Sequence, residues 1–440
     1  MNLQSPNISN PCDSRREFLK KSGTTAASTA VLAQVGMPVP VFGAPTDKKL
    51  KLGVVGCGGR GTGAVHQALS ADSNIELTAI GDAFPEQIEK SLAVLKTKLE
   101  PQKLALKKSH IFTGLDAYRK VLDSGVDVVV LATPPGFRPG HLLAAVEAGK
   151  HVFAEKPMAT DGPGVRLAMK AVELSKQKGL GLLAGFCWRY NYPRRELFKR
   201  IAAGEIGAVR SAYGTYLTGP VKPMPEASTR PAGISELEWM VRNWTNFNWL
   251  SGDGLVEQAV HTVDWLMWTM NDEPPTHCTA VGGRQIPAHG GNIFDHVEVN
   301  YEWANGVRGF VGQRQISGCH NENNLYVQGA EGEGRIAGGR VYIAGKNRWR
   351  YRGKSNNMYQ TEHDEFFASI REGNPLNDGD RMMKSTLAGI MGRMAAYTGQ
   401  RVSWEQALNS KQELAPQDVS SWNAEVPVEP MAKPGRTKLF

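Results

Sequence analysis

"GVVGCGGRGTGAVHQAL", residues 53–69, decides how the rest of the chain is read. The apolar residues leading into it, "KKLKLGVV", suit a strand buried on both faces, and those after Gly61 fall at helical spacing. Between them stand Gly56, Gly58 and Gly61, with Gly59 and Arg60 completing the loop. In a strand–turn–helix unit the three glycines have separate jobs: the tight turn, the close approach of backbone to a pyrophosphate, and the packing of helix on strand. The helix N-terminus adds unpaired N–H groups and the positive end of a dipole. Asp82 closes the next apolar run, "IELTAIGD", 21 residues after Gly61, where an acid can accept hydrogen bonds from the adenosine ribose. The stretch therefore reads as a dinucleotide site. Asp82 would repel a 2′-phosphate, which favours NAD; Arg60 keeps NADP open as the second choice.

Strand and helix keep alternating downstream. "PEQIEKSLAVLKTKL" has helical spacing, "GVDVVVLATPP" is a β-branched run, "PGHLLAAVEAGK" is a helix ending at Gly149, "HVFAEKP" is a strand, "GVRLAMKAVELSKQKG" a helix and "LGLLAGFCWRY" a last strand. This order specifies a doubly wound parallel sheet, the Rossmann architecture, over residues 46–190. From about residue 209 the pattern changes to alternating strands: "VRSAYGTYLT", "THCTAVGGRQ", "DHVEVNYEW", "VRGFVGQRQI" and "NNLYVQGA". Asn305-Gly306 in "WANGVRG" is a hairpin turn signal. One helix interrupts near "LVEQAVHTVDWLMW". The expectation is an α/β chain with a second domain over residues 191–375, built on a mostly antiparallel sheet, then a returning helix and irregular tail over 376–440. Val297, Val299 and Tyr301, continued by Trp303, share one strand face and should meet either helices of the same subunit or a second subunit.

The chain has 440 residues, 41% of them hydrophobic and 21% charged, which excludes a wholly disordered or collagenous protein. Its formal net charge of +8 is scattered apart from "KTKLEPQKLALKK", so no nucleic-acid partner is expected. No apolar run is long enough to span a membrane. Cys12, Cys57, Cys187, Cys278 and Cys319 show no C-x-x-C spacing and are expected to be free thiols. "SRREFLKK", residues 14–21, matches the twin-arginine pattern, and a weakly apolar run and small residues around Gly43 and Ala44 follow it. This predicts a signal peptide over residues 1–45, export through the twin-arginine machinery, and a periplasmic or secreted location.

"LATPPGFRPGHLLAAVEAGKHVFAEKPMA", residues 131–159, carries a TPP, then a helix with His141, then AGKHVFxEKP. That order of motifs resembles the glucose-fructose oxidoreductase and inositol dehydrogenase family, Gfo/Idh/MocA, and the likeness runs from residue 48 to about 405. The resemblance implies an N-terminal Rossmann domain, a C-terminal α/β domain on an open sheet, nicotinamide in the cleft between them, a sugar or polyol substrate, and a homo-oligomer formed through the sheet. It places Thr133, Pro134, His141 and Glu155 with the cofactor and Lys156 of EKP at the active site. A lysine at the carboxyl end of a strand can hydrogen-bond a substrate hydroxyl and favour its alkoxide.

A second motif of the family is an acid four residues before a histidine, here Glu257 and His261 in "GDGLVEQAVHTVDW". On one helix Glu257, His261 and Asp264 would share a face suited to sugar hydroxyls, with His261 as acid/base and Trp265 and Trp268 turned elsewhere. The family commonly has Asp where Glu257 stands, which leaves the role of that carboxylate open. Glu257 and His261 could also ligate a metal, but no third ligand stands at a recognisable spacing, so none is expected. Arg189 and Tyr190 of "CWRYNYP" and His320 of "SGCHNENN" are candidate substrate contacts, and the aromatics of "EWMVRNWTNFNWLSGDG" are candidates to stack on a pyranose.

Export and NAD sit together only under a constraint. Outside the cytoplasm there is little free nucleotide, so an enzyme that released NADH each turnover would stop. Two chemistries of the resembled family escape this: an oxidoreductase whose tightly bound cofactor is recycled by a second substrate, and a glycosidase that oxidises a ring hydroxyl, eliminates the aglycone, adds water and reduces the sugar again. A non-catalytic sugar-binding module is the reading from another class; such a binder needs neither Lys156 nor His261.

Overall fold

The first apolar runs form β1 (Leu50–Val55) and β2 (Ile75–Asp82), joined by the helix Gly59–Ala71. The computed structural model describes residues 48–438 apart from 288, 415, 417, 418, 427 and 428, so the predicted signal peptide and Cys12 lie outside the described residues. β3 (Ile111–Thr113), β4 (Val128–Leu131), β5 (His151–Ala154) and β6 (Leu182–Ala184) complete a parallel sheet in the order β3-β2-β1-β4-β5-β6. All four residues of β4 are fully buried, as a β-branched strand covered by helices on both faces should be. The order reverses between β1 and β4, so their carboxyl ends, at Val55 and Leu131, open the crevice where such sheets bind ligands. The expected last strand is shorter than read: beyond β6 the chain turns through a 3₁₀ turn, Cys187–Tyr190, and leaves the sheet.

Among the described residues nine strands form the second sheet. They are β7 (Val209–Thr218), β8 (His277–Gly283), β9 (His296–Glu302), β10 (Arg308–Gln315), β11 (Leu325–Gly329), β12 (Gly332–Ala337), β13 (Arg340–Gly345), β14 (Trp349–Arg350) and β15 (Val402–Ser403), in the order β14-β13-β12-β11-β7-β10-β9-β8-β15. Only β7 and β10 run parallel. The Asn-Gly turn joins β9 to β10, with Gly306 at φ +80° and its N–H donating to Trp303 O at 2.9 Å. Val297, Val299, Tyr301 and Trp303 are all at most 4% exposed. The helix Gly379–Thr398 covers them, and Tyr301 donates from its hydroxyl to Ala388 O at 2.8 Å. That face is thus closed within one subunit; the opposite face is open, with Val281 73% and Tyr213 39% exposed.

The helix Met358–Arg371 lies against the helix Gly59–Ala71, with Gln360 Nε2 donating to Gln67 O at 3.0 Å. The chain therefore returns to the first domain before the expected boundary at residue 376. The irregular tail is tied down: Leu414 N–H donates to Asp161 at 2.8 Å, Glu429 O accepts from Asn292 Nδ2 at 2.8 Å, and Trp422 stacks on Phe84 at 5.3 Å. Among the described residues no helix is long and apolar enough to cross a membrane, and Cys57, Cys187, Cys278 and Cys319 are free thiols.

Candidate active site

The glycine loop divides its labour in a way the space around it makes plain. A Cβ on Gly56, which sits at φ +94°, would come 2.6 Å from the Ala132 carbonyl carbon, and one on Gly61 would come 1.8 Å from Gly56 O. These two are glycine because the protein packs against itself there. A Cβ on Gly58 or Gly59 would meet nothing within 4 Å. That open space at a helix N-terminus is what a pyrophosphate backing onto the loop requires. Asp82 accepts from Cys57 N–H at 2.6 Å and Phe84 N–H at 2.9 Å, fixing its carboxylate at the end of β2; burial pushes its pKa up while these amides oppose the shift.

Gly56, Gly58, Asp82, Thr133, Pro134 and His141 line one cavity of about 410 Å³. His141 packs on Tyr118 at 4.0 Å, meets Thr133 Oγ1 through Nδ1 at 3.2 Å, and is pushed down to about 3 by burial, so it is a neutral wall residue. The other side of this cavity comes from the second domain, through Lys222, Val241, Arg242 and Trp244. Arg242 bridges to Glu86 at 2.5 Å and lies 4.0 Å over the Phe84 ring. The aromatics of "EWMVRNWTNFNWLSGDG" therefore belong to this cover: Trp239, Phe247 and Trp249 cluster with Phe84, and Trp244 lines the cavity, which replaces the pyranose-stacking expectation.

Arg60 does not stand beside Asp82. Its Nε donates to Glu155 at 2.8 Å, and its guanidinium lies 4.8 Å over the Tyr359 ring. This turns both the Arg60 and Glu155 side chains beneath the EKP turn, so Arg60 is not placed to receive a 2′-phosphate. Arg138, absent from the sequence reading, is fully buried and donates to Thr133 O and Pro157 O, clamping the TPP turn to the EKP turn.

Lys156 is the centre of the second cluster. Its ammonium is 2.9 Å from Glu257 Oε1 and also donates to the Glu257 carbonyl, with both residues 9% exposed. The Glu257 carboxylate, whose role was left open because the family commonly has Asp there, thus reaches the Lys156 ammonium. Gln258 donates to the other Glu257 oxygen, and Tyr216 donates to Gln258 at 2.7 Å. His261 stacks on Trp188 at 4.8 Å, with its Nδ1 buried and without a partner among the described residues. Burial first, then the nearby Lys156, Arg194 and Arg60 charges, hold it well below its usual range, so His261 is neutral at physiological pH.

Several expectations need correction. Glu257 and His261 do not lie on one helix: Gly254–Glu257 ends and Val260–Thr269 begins after a break at Gln258–Ala259. Asp264, 1% exposed, faces away from this cluster and receives a bidentate grip from Arg189 at 2.8 and 2.9 Å and a hydroxyl from Ser385 at 2.7 Å. Arg189 also holds Asp272 at 2.5 Å. Both are structural ion-pair members rather than substrate contacts. Tyr190, 4% exposed, donates to Asp378 at 3.1 Å and packs under Arg195, so it is a core residue. His320 lies on an exposed loop, its ionic neighbour Glu322 at 3.7 Å, and makes no hydrogen bond or ion pair with Lys156 or His261 among the described residues. Trp265, expected to turn away, stacks on Trp188 at 4.1 Å. Tyr216, Trp188, Tyr359 and Arg194, unremarked in the sequence, complete the surroundings of the cluster.

Comparison with known proteins fits this arrangement. The model of an oxidoreductase family with an NAD-binding Rossmann fold matches residues 50–186, and that of the GFO/IDH/MocA C-terminal domain matches residues 195–335. The chain belongs to the Gfo/Idh/MocA oxidoreductase family. It is similar to an inositol 2-dehydrogenase of Rhizobium meliloti (strain 1021), 23% identical over 347 residues that span 75% of this chain and 92% of the relative. It is also similar to a glycosyl hydrolase family 109 protein of Shewanella sp. (strain W3-18-1), 30% identical over 335 residues, 72% of this chain and 64% of that relative. Among solved structures, an aldose-aldose oxidoreductase of Caulobacter crescentus shares the fold, with TM-score 0.62, 19% identity, and coverage of 81% of this chain and all of that one. For this Gfo/Idh/MocA chain the dinucleotide is NAD, in keeping with Asp82 at the end of β2.

Proposed function

We propose that this NAD-binding oxidoreductase acts on a hydroxyl of a sugar, polyol or glycoside, with its cofactor retained through turnover, after export by the twin-arginine route to the periplasm or medium. The observation that carries the reading is the buried Lys156–Glu257 pair beside the neutral His261. When bound, NAD supplies the acceptor for the substrate's two electrons. Lys156 donates to the reacting oxygen and stabilises its negative charge, Glu257 holds the ammonium in place, and the unprotonated imidazole of His261 takes the hydroxyl proton. Retention is supported by the cover over the cavity, where Arg242 and Trp244 from one side and the Phe84–Trp422 stack from the tail close on the Asp82 end.

The test is nucleotide content. Protein recovered after export should carry NAD through desalting and release it on denaturation, and Trp422→Ala should shorten its retention. Nucleotide-free protein that takes up none on titration would sink the proposal.

The family 109 relatives favour a second reading, redox-neutral glycoside hydrolysis at the same residues. It predicts glycoside cleavage with no net NADH and solvent deuterium at the ring carbon next to the oxidised one. A homo-oligomer, if formed through the second sheet, would use its open face around Tyr213 and Val281, and a monomeric sedimentation mass would refute it.

A further inference from the structure

Arg194, in the first turn of the helix Tyr192–Ala202, is half-buried at the edge of the reaction centre. Its guanidinium lies 4.7 Å from the centre of the Trp188 ring and 5.0 Å from that of Trp265. Trp188 is the ring on which His261 stacks, and the Arg194 charge is one of those that keep His261 neutral. The guanidinium therefore belongs to the wall of the Lys156–His261 cluster.

What sets Arg194 apart is its lack of a counter-ion among the described residues. The arginines around it are matched: Arg60 has Glu155, Arg189 has Asp264 and Asp272, Arg195 has Glu365, and Arg138 has two backbone carbonyls. Among the described residues Arg194 has no acidic partner. Its one side-chain hydrogen bond among the described residues runs from Nη1 to Met358 Sδ at 3.5 Å, and a thioether is a weak acceptor. Burial pushes its pKa down to about 10, with no carboxylate opposing the shift. Two indole faces satisfy its charge but not its N–H groups, and in a half-buried side chain those donors are left to solvent or to a ligand. Nor is it placed for the dinucleotide phosphates, since it is not among the residues lining the cavity that contains Gly58 and Asp82.

We propose that Arg194 is the anchor for a carboxylate carried by the substrate, so that the preferred sugar is an acidic one, a uronate or an aldonate, rather than a neutral hexose. This rests on the carbohydrate reading above. A planar carboxylate accepts two parallel N–H bonds from a guanidinium, which a hydroxyl cannot do.

The experiment titrates the NAD-loaded enzyme with glucuronate, gluconate, glucose and glucose 6-phosphate, read by indole fluorescence, since Trp188 and Trp265 lie under the guanidinium. At least one acidic sugar should bind roughly 10- to 100-fold tighter than glucose, the range of a hydrogen bond to a charged group. Arg194→Gln should abolish that ratio and Arg194→Lys should keep part of it, with bound nucleotide as the control for folding in both. Equal binding of acidic and neutral sugars, an acid preference that survives in Arg194→Gln, or a preference for the phosphate ester over both acids overturns the proposal and leaves the carbohydrate reading standing. Binding of none of the four overturns both. If Arg194→Gln does not fold, the wild-type ratio and Arg194→Lys decide.

Discussion

Gly58→Ala and Gly61→Ala, three residues apart, should fail in different ways. At Gly61 the added Cβ falls 1.8 Å from Gly56 O and 3.3 Å from the Ala132 Cβ, so the helix must move off the strand. Overpacking of this kind costs about 1–3 kcal/mol, against about 1 kcal/mol that alanine gains over glycine inside a helix. The net expectation is a fold weakened by up to about 2 kcal/mol even without nucleotide. At Gly58 the added Cβ meets no protein atom within 4 Å, and φ −67° suits any residue, so the fold tolerates it. The methyl group instead occupies the space left for the pyrophosphate. Losing one backbone hydrogen bond to a charged oxygen costs about 1.5–3 kcal/mol, or roughly 10- to 100-fold in NAD affinity. Urea unfolding of nucleotide-stripped protein and calorimetric NAD titration separate the two effects. Equal destabilisation by both substitutions, or unchanged NAD affinity in Gly58→Ala, would be incompatible with a pyrophosphate seated on Gly58.

Two other outcomes follow from buried charge. Arg189→Met should destabilise the fold by about 3–5 kcal/mol in urea, because it strands the buried Asp264, whereas a substrate-binding arginine would change KM at constant stability. Stability should also fall on acidification. Burial pushes His141 and His363 down to about 3 and His151 to about 4, and holds His261 well below 6.5, whereas the unfolded chain protonates all four near 6.5. Burial conversely pushes Asp253 up to about 6 and raises Glu362, so the native state keeps two protons that the unfolded chain releases above about 4. Four protons gained on unfolding against two lost leave the unfolded state with the excess between about pH 4.5 and 6. Stability there should drop toward acid by about 1–3 kcal/mol per pH unit once the raised Asp82 is counted as well, and urea midpoints that stay flat or rise toward pH 5 would contradict this.

What the sequence made legible was local. The strand–glycine–helix unit, β2 ending at Asp82 and the Asn305-Gly306 hairpin are each written in a dozen or so consecutive residues, and each forms where expected. β12 and β13 escaped because "EGEGRIAGGRVYIAG" interrupts its alternation with glycines that only the neighbouring strands make sense of. The break at Gln258–Ala259 carries no proline or glycine, so helical spacing ran straight through it and put Asp264 on the wrong face. The partner of Asp264 is Arg189, 75 residues away, and a polar residue at helical spacing looks the same whether it meets substrate or a buried guanidinium. The Lys156–Glu257 contact spans 101 residues and was legible only as two separate motifs.

On the proposed function, Lys156, held by Glu257 beside a neutral His261, is the reaction centre. The most direct test mixes holoenzyme with an excess of oxidisable sugar and follows the near-ultraviolet absorbance of reduced nicotinamide in a single turnover. Wild type should show the rise, and Lys156→Ala with the same nucleotide content should show it about 10²-fold more slowly, the usual cost of losing one positioned proton-handling group. An undiminished rate in Lys156→Ala would contradict the account.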